Sequence, residues 1–160
     1  MTAQARNKTT DNLLSGLVSE LSAHPIAGTM KHHVAHGDVS VFDHAVSVAK
    51  LSDRINDRLR LHADRRTLLR GALLHDYYLY DWHDCPDRSI LHLHGFYHPK
   101  VALENARRDF TLSDKEENII RSHMWPLTIF HLPRCREAAI VCAADKICSL
   151  HETILRRPLS

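Results

Sequence analysis

Apolar positions recur along the chain at three- and four-residue intervals, the period of amphipathic helices, and no segment alternates convincingly with period two. Leu13, Leu14, Leu17, Val18 and Leu21 share one face of a first predicted helix, from about Asp11 to Ala23, which Pro25 stops. Ser40 is placed to cap a second helix reaching about Leu59, in which His44, Val48, Leu51 and Ile55 fall at i, i+4, i+7 and i+11. That spacing turns His44 into the core. A third helix, from about Asp64 to Tyr78, sets Leu68, Ala72 and His75 in one line and Leu69, Leu73 and Asp76 in the next. Gly71 and Ala72 keep the turn before His75 small, so that another helix can approach closely.

Residues 80–97 read as a long aromatic and histidine-rich loop of the kind that borders a site. Pro99 suits the first position of a fourth helix, with His98 as its cap and Val101, Ala102, Ala106 and Phe110 as its apolar face. Ser113 and Glu116 have the spacing of a capping box for a fifth helix, where Ile119 and Ile120 lie one turn before His123 and Pro126 follows. The sixth helix, from about Arg134 to Ile154, stacks Ala138, Val141, Cys142, Asp145, Cys148 and Ser149 on one face. The expected fold is all-α, a single-domain bundle of about six main helices over residues 11–160, behind a polar tail at 1–10.

Length and composition narrow the function classes. A chain of 160 residues suits one domain, and 44% apolar with 25% charged residues is the mix of a soluble globular protein. The net charge is only +2, with Lys and Arg scattered among acids, so no nucleic-acid partner is expected. The N-terminus has no apolar stretch like a secretory signal and no window approaches a membrane span, which points to a cytoplasmic protein without a membrane partner. Cys85, Cys135, Cys142 and Cys148 are dispersed with no CxxC pair and read as reduced thiols. Histidine stands out, with 14 copies.

A single histidine or aspartate on an apolar helix face is usually a hydrogen-bonded core residue. Here four helices each aim such a group at one core, and a dehydrated cluster of this kind is hard to stabilise without a cation. In chain order the groups are His44, the adjacent pair His75–Asp76, His98, His123 and Asp145. That order, H, HD, H, H, D, with its flanking residues from about His36 to Glu152, resembles the HD-domain superfamily of metal-dependent phosphohydrolases.

The resemblance implies that His44, His75, Asp76 and Asp145 hold one metal, and that His98 and His123 hold a second with Asp76 bridging both. His75 and Asp76 then carry the catalytic role. Nitrogen and oxygen ligands without thiolates suit two divalent ions, iron or manganese in preference, with zinc, cobalt, nickel or magnesium possible. Two ions about 3.5–4 Å apart can activate a shared solvent hydroxide and stabilise charge on a phosphoryl oxygen. The implied activity is hydrolysis of a phosphomonoester or phosphodiester of a small metabolite or nucleotide. The same six ligands also serve mixed-valence diiron oxygenases of this fold that cleave C–C or C–P bonds, and a non-catalytic metal-stabilised module is a third reading. The oligomeric state is open. No Gly-rich phosphate loop or nucleophile elbow competes with the metal set.

Candidate substrate contacts are His94, Lys100, Arg121, Trp125, Lys146 and Tyr77. His94 also competes with His98 as a ligand, but the family-like HPxxA spacing belongs to His98. His32, His33 and His36 lack apolar periodicity and read as a solvated loop, while Tyr80, Trp82 and His83 could wall a pocket or simply pack. Many HD proteins follow the HD pair with a small residue, Gly and Lys. This chain reads HDYYLYDW, which puts in doubt any substrate contact normally made by that lysine.

Overall fold

Among the described residues six α-helices carry the fold: α1 (Ala3–Ala23), α2 (Val41–Arg58), α3 (Arg65–Leu74), α4 (Arg88–Asp109), α5 (Asp114–Ser122) and α6 (Arg136–Leu155). The computed structural model describes residues 3–36, 38–80, 88–155 and 157–159, leaving out the side chains of 3–8, 36 and 88–94. The expected all-α bundle is the observed architecture. Among the described residues the exception is a small antiparallel pair, β1 (Val34–His36) and β2 (Val39–Ser40), which follows a 3-10 turn at Ala27–His32. The histidines at 32, 33 and 36 thus belong to that turn and hairpin, not to the plain loop expected of them.

Helix α2 lies against both α3 and α6, and α5 packs on α3, α4 and α6, so the helices that carry the candidate ligands surround one core. Leu68, Leu69, Ala72, Ile119, Ile120, Val141 and Val48 are fully buried there. Each large aliphatic side chain in that set contributes about 1.5–3 kcal/mol through burial. Gly71 permits the α3–α5 contact, since a Cβ at this position would lie 3.2 Å from both Cβ and Cγ2 of Ile119. Arg70 on α3 fastens the same pair, donating to Glu116 Oε1 at 2.8 Å and to the Thr111 carbonyl at 3.1 Å.

The two serine caps read from sequence are formed. Ser40 accepts from the amide of Asp43 at the start of α2, and Ser113 and Glu116 complete both bonds of the capping box on α5. Three boundaries differ. Helix α1 starts at Ala3, not Asp11. Helix α3 ends at Leu74, short of Tyr78, because the chain turns through the His75–Asp76 pair and reaches Leu79 at φ 56°. Helix α4 begins at Arg88, so His98 and Pro99 lie inside it and His98 is no cap. The loop expected over residues 80–97 is therefore helical from Arg88 onward, while Trp82, His83 and Cys85 fall outside the described residues.

Candidate metal centre

His75 and Asp76 occupy the turn that leaves α3, and two interactions hold this turn in place. The His75 Nδ1–H donates to the carbonyl of Ala72 at 2.7 Å. From α4, the side-chain amide of Asn105 donates to the carbonyls of Tyr77 and Tyr78 at 3.1 and 3.2 Å. Asn105 thus ties the turn to the helix that bears His98. Around it, α2 contributes His44, the end of α5 contributes His123, and α6 contributes Asp145. All six groups are 5% exposed or less, so their charges and lone pairs depend chiefly on one another or on a bound cation.

The carboxylate of Asp76 divides the cluster. Its Oδ2 faces His44 Nε2 at 3.8 Å and His75 Nε2 at 3.5 Å. Its Oδ1 faces His98 Nε2 at 3.2 Å and His123 Nε2 at 3.3 Å. Asp145 Oδ1 joins the first group, 3.2 Å from His44 Nε2 and 3.6 Å from His75 Nε2. Ligand atoms of three overlapping sets, His44–His75–Asp76, His75–His123–Asp145 and Asp76–His98–His123, lie within 4.8 Å of one another, the spacing expected around adjacent cations.

Hydrogen bonding on the far side of the rings fixes which nitrogen is free. His75 Nδ1 and His123 Nδ1 each face a main-chain carbonyl, Ala72 at 2.7 Å and Ile120 at 2.8 Å, and a carbonyl only accepts. Both Nδ1 atoms therefore carry a proton, and Nε2 is the ring atom of each that faces the cluster and could ligate a cation. His44 Nδ1 is likewise held by Glu152 Oε2 at 2.7 Å. On the inner side, His44 Nε2 hydrogen-bonds Asp145 Oδ1 at 3.2 Å, and His98 Nε2 hydrogen-bonds His123 Nε2 at 2.7 Å. His75 Nε2 and Asp76 Oδ1 are buried without a hydrogen-bond partner. This donor set fits a pair of divalent cations, which would supply the missing positive charge.

The titration behaviour has the same origin. Burial disfavours the charged imidazole of His44, but hydrogen bonds to Asp145 and Glu152 push it up to about 10. Burial likewise works against protonation of His75, and the charge of Asp76 raises it nonetheless. Burial lowers His123, and there it prevails. Burial would raise Asp76 and Asp145, yet the facing histidines hold both well below the usual carboxylate range. Without a cation, the two buried aspartates are balanced by protons drawn onto His44 and His75.

A cavity of about 810 Å³ opens onto this cluster, with Asp76, His98, His123 and Asp145 in its lining. Lys146 also lines it, with Nζ donating to the carbonyls of His123 at 2.8 Å and Cys142 at 3.2 Å. A larger groove of about 1020 Å³ beside the start of α6 contains none of the six groups, and two of its cations, Arg65 and Lys115, are paired with acids.

Of the other expected substrate contacts, Tyr77 is fully buried, its hydroxyl donating to Asp109 at 3.0 Å and its ring against Phe110. It is a packing residue. Lys100 is exposed beside Glu104, and Arg121 borders a separate surface groove. Trp125 is at the surface, next to but not in the cavity lining. The side chain of His94 lies outside the described residues. Glu152 and Asn105 were not anticipated. Glu152 had a weak signal, seven residues beyond Asp145 on the same helix face.

The family model of the HD domain matches residues 41–150, a span that holds all six groups and stops two residues before Glu152. No curated protein and no solved structure matches the chain.

Proposed function

The chain belongs to the HD-domain family, and from this we propose that it is a metal-dependent phosphohydrolase acting on a phosphomonoester or phosphodiester of a small molecule. The observation that carries the reading is the divided Asp76 carboxylate, with one oxygen toward His44 and His75 and the other toward His98 and His123. A site that only stabilises the fold would close around one ion with four ligands. Here His44, His75, Asp76 and Asp145 would hold one divalent ion and Asp76, His98 and His123 a second, with iron or manganese preferred. Such ions supply Lewis-acid stabilisation of charge on a phosphoryl oxygen and activate water.

The chain's own groups do the positioning. The carbonyls of Ala72 and Ile120 and the carboxylate of Glu152 orient three imidazoles, and Ser149 Oγ donates to Asp145 Oδ1 at 3.2 Å. Their burial keeps bulk water from screening the charges. Lys146 is the only Lys or Arg among the described residues lining the cavity. It stands where the HDYYLYDW segment offers no lysine, and its ammonium would meet a phosphoryl oxygen as a point charge.

No helix among the described residues is long and apolar enough to cross a membrane. A cytoplasmic setting and a small-molecule substrate without nucleic acid are part of the same reading. The test is a panel of phosphate esters with added manganese or ferrous iron, with and without chelator. Metal-dependent phosphate release supports the proposal, and inactivity across all metals and esters refutes it. Oxygen uptake on a phosphonate or polyol would transfer the site to oxygenase chemistry.

A further inference from the structure

The cavity beside the metal centre is built unevenly. Its floor is the cluster of histidines and aspartates, and among the described residues its walls carry Met124, Pro126, Leu127 and Leu150, with Tyr78 and Thr153 adding a hydroxyl each. The polar groups near the floor are mostly committed. Ser149 Oγ is used by Asp145, and Lys146 Nζ is anchored by two carbonyls. Gly95 keeps one side clear, since a Cβ there would lie 2.9 Å from Leu127 Cδ2 and 3.5 Å from Met124 Cε. The apolar wall runs out to the surface, where Leu127 is 45% and Leu150 64% exposed.

A sugar or a nucleobase placed against Met124, Pro126, Leu127 and Leu150 would lose water from several polar groups and find no side-chain partner on those four residues, which costs binding energy. An alkyl or alicyclic group would instead bury apolar surface on both sides. We infer that the substrate is an amphiphilic phosphate monoester, with its phosphate at the metal centre beside Lys146 and an apolar alcohol portion along Leu127 and Leu150. The reacting end of this assignment rests on the phosphohydrolase reading. In the reaction the oxygen of water bonds to phosphorus, the ester P–O bond breaks, and the alcohol departs with a proton from that water. Inorganic phosphate and the free apolar alcohol are the products.

Binding and turnover test separate parts of this. Calorimetric titration of the manganese-loaded protein with ethylphosphonate and octylphosphonate, whose C–P bonds resist hydrolysis, reads the wall alone. The longer chain should bind at least about tenfold more tightly, because each added methylene gains from burial. Leu127→Gln and Leu150→Gln change side chains that already reach solvent, so the fold should tolerate them, and each should bring the ratio back toward one. Equal affinities in the wild type, or a ratio unchanged in both variants, would overturn the inference. Turnover of octyl phosphate should exceed that of ribose 5-phosphate and of a nucleoside monophosphate in kcat/KM, and the opposite order would also overturn it. Chain-length-dependent binding with no ester cleaved would refute the phosphohydrolase reading and leave the apolar wall standing.

Discussion

Protein stripped of metal by a chelator should melt at a lower temperature as the pH rises from 6.5 to 9, and His44 sets the size of the effect. Burial opposes its charge, but the hydrogen bonds to Asp145 and Glu152 raise it from 6.5 to about 10. A group raised in the folded state contributes its full stability below the unfolded pKa and loses it as the pH climbs toward the folded one. For His44 the loss between pH 6.5 and 9 integrates to roughly 3 kcal/mol. In a domain of this size that is a fall of roughly 6–12 °C in Tm. His75, also raised against burial by the charge of Asp76, adds with the same sign. His123, lowered by burial, acts mainly below pH 6.5, and the thiols of half-buried Cys135 and buried Cys148 act mainly above pH 9. With saturating manganese the ligand lone pairs are occupied, and metal competes better as protons become scarce, so the loaded protein should hold or gain stability over the same window. The two melting curves should diverge with rising pH. Circular-dichroism melts at four pH values, with and without chelator, make the comparison. A chelated protein whose Tm stays flat or rises would refute the idea that protons on His44 and His75 balance the aspartates.

His75→Ala and Asp76→Ala should each abolish metal-dependent hydrolysis, whereas His98→Ala or His123→Ala should preferentially empty the second position; metal content per chain by elemental analysis distinguishes these, and full occupancy with full activity in either of the first two contradicts the assignment. Glu152→Ala should weaken metal binding by about 10–100-fold through loss of the hold on His44, and Glu152→Gln, which keeps an acceptor, should recover part of it; an unchanged Kd in Glu152→Ala would remove that role. Gly71→Ala should cost about 1–3 kcal/mol by crowding Ile119, offset by up to about 1 kcal/mol from helix propensity, and a melt no lower than wild type would mean that α5 yields freely.

The helices and their buried faces were legible because each ligand contradicts its surroundings. A histidine in register with Val48, Leu51 and Ile55, or an aspartate between Cys142 and Cys148, would be costly if unpartnered, and that cost is visible in one dimension. What was not legible depends on distant contacts. The start of α4 was misplaced because Pro99, with no amide hydrogen to give to the carbonyl of Gly95, carries the local signal of a first helical position, and the structure accommodates it in the helix interior. The end of α3 was misplaced because the turn after His75 is held by Asn105, nearly thirty residues away. Nothing local to Glu152 names His44 as its partner, and their contact exists only once α2 and α6 are docked, 108 residues apart in sequence.

The division has a physical cause. Choosing a ligand requires a residue type, which the sequence states, but using it requires that the ring be turned and its proton placed on the outer nitrogen. For His75 and His123 that work is done by the carbonyls of Ala72 and Ile120, each three residues earlier. A carbonyl is common to every residue and so leaves no mark in the pattern. It becomes a specific acceptor only when the helix ends beside it, with the C-cap histidine still in helical geometry, as both of these are. Placing His75 and His123 at the ends of their helices is thus what lets a featureless backbone select their tautomers.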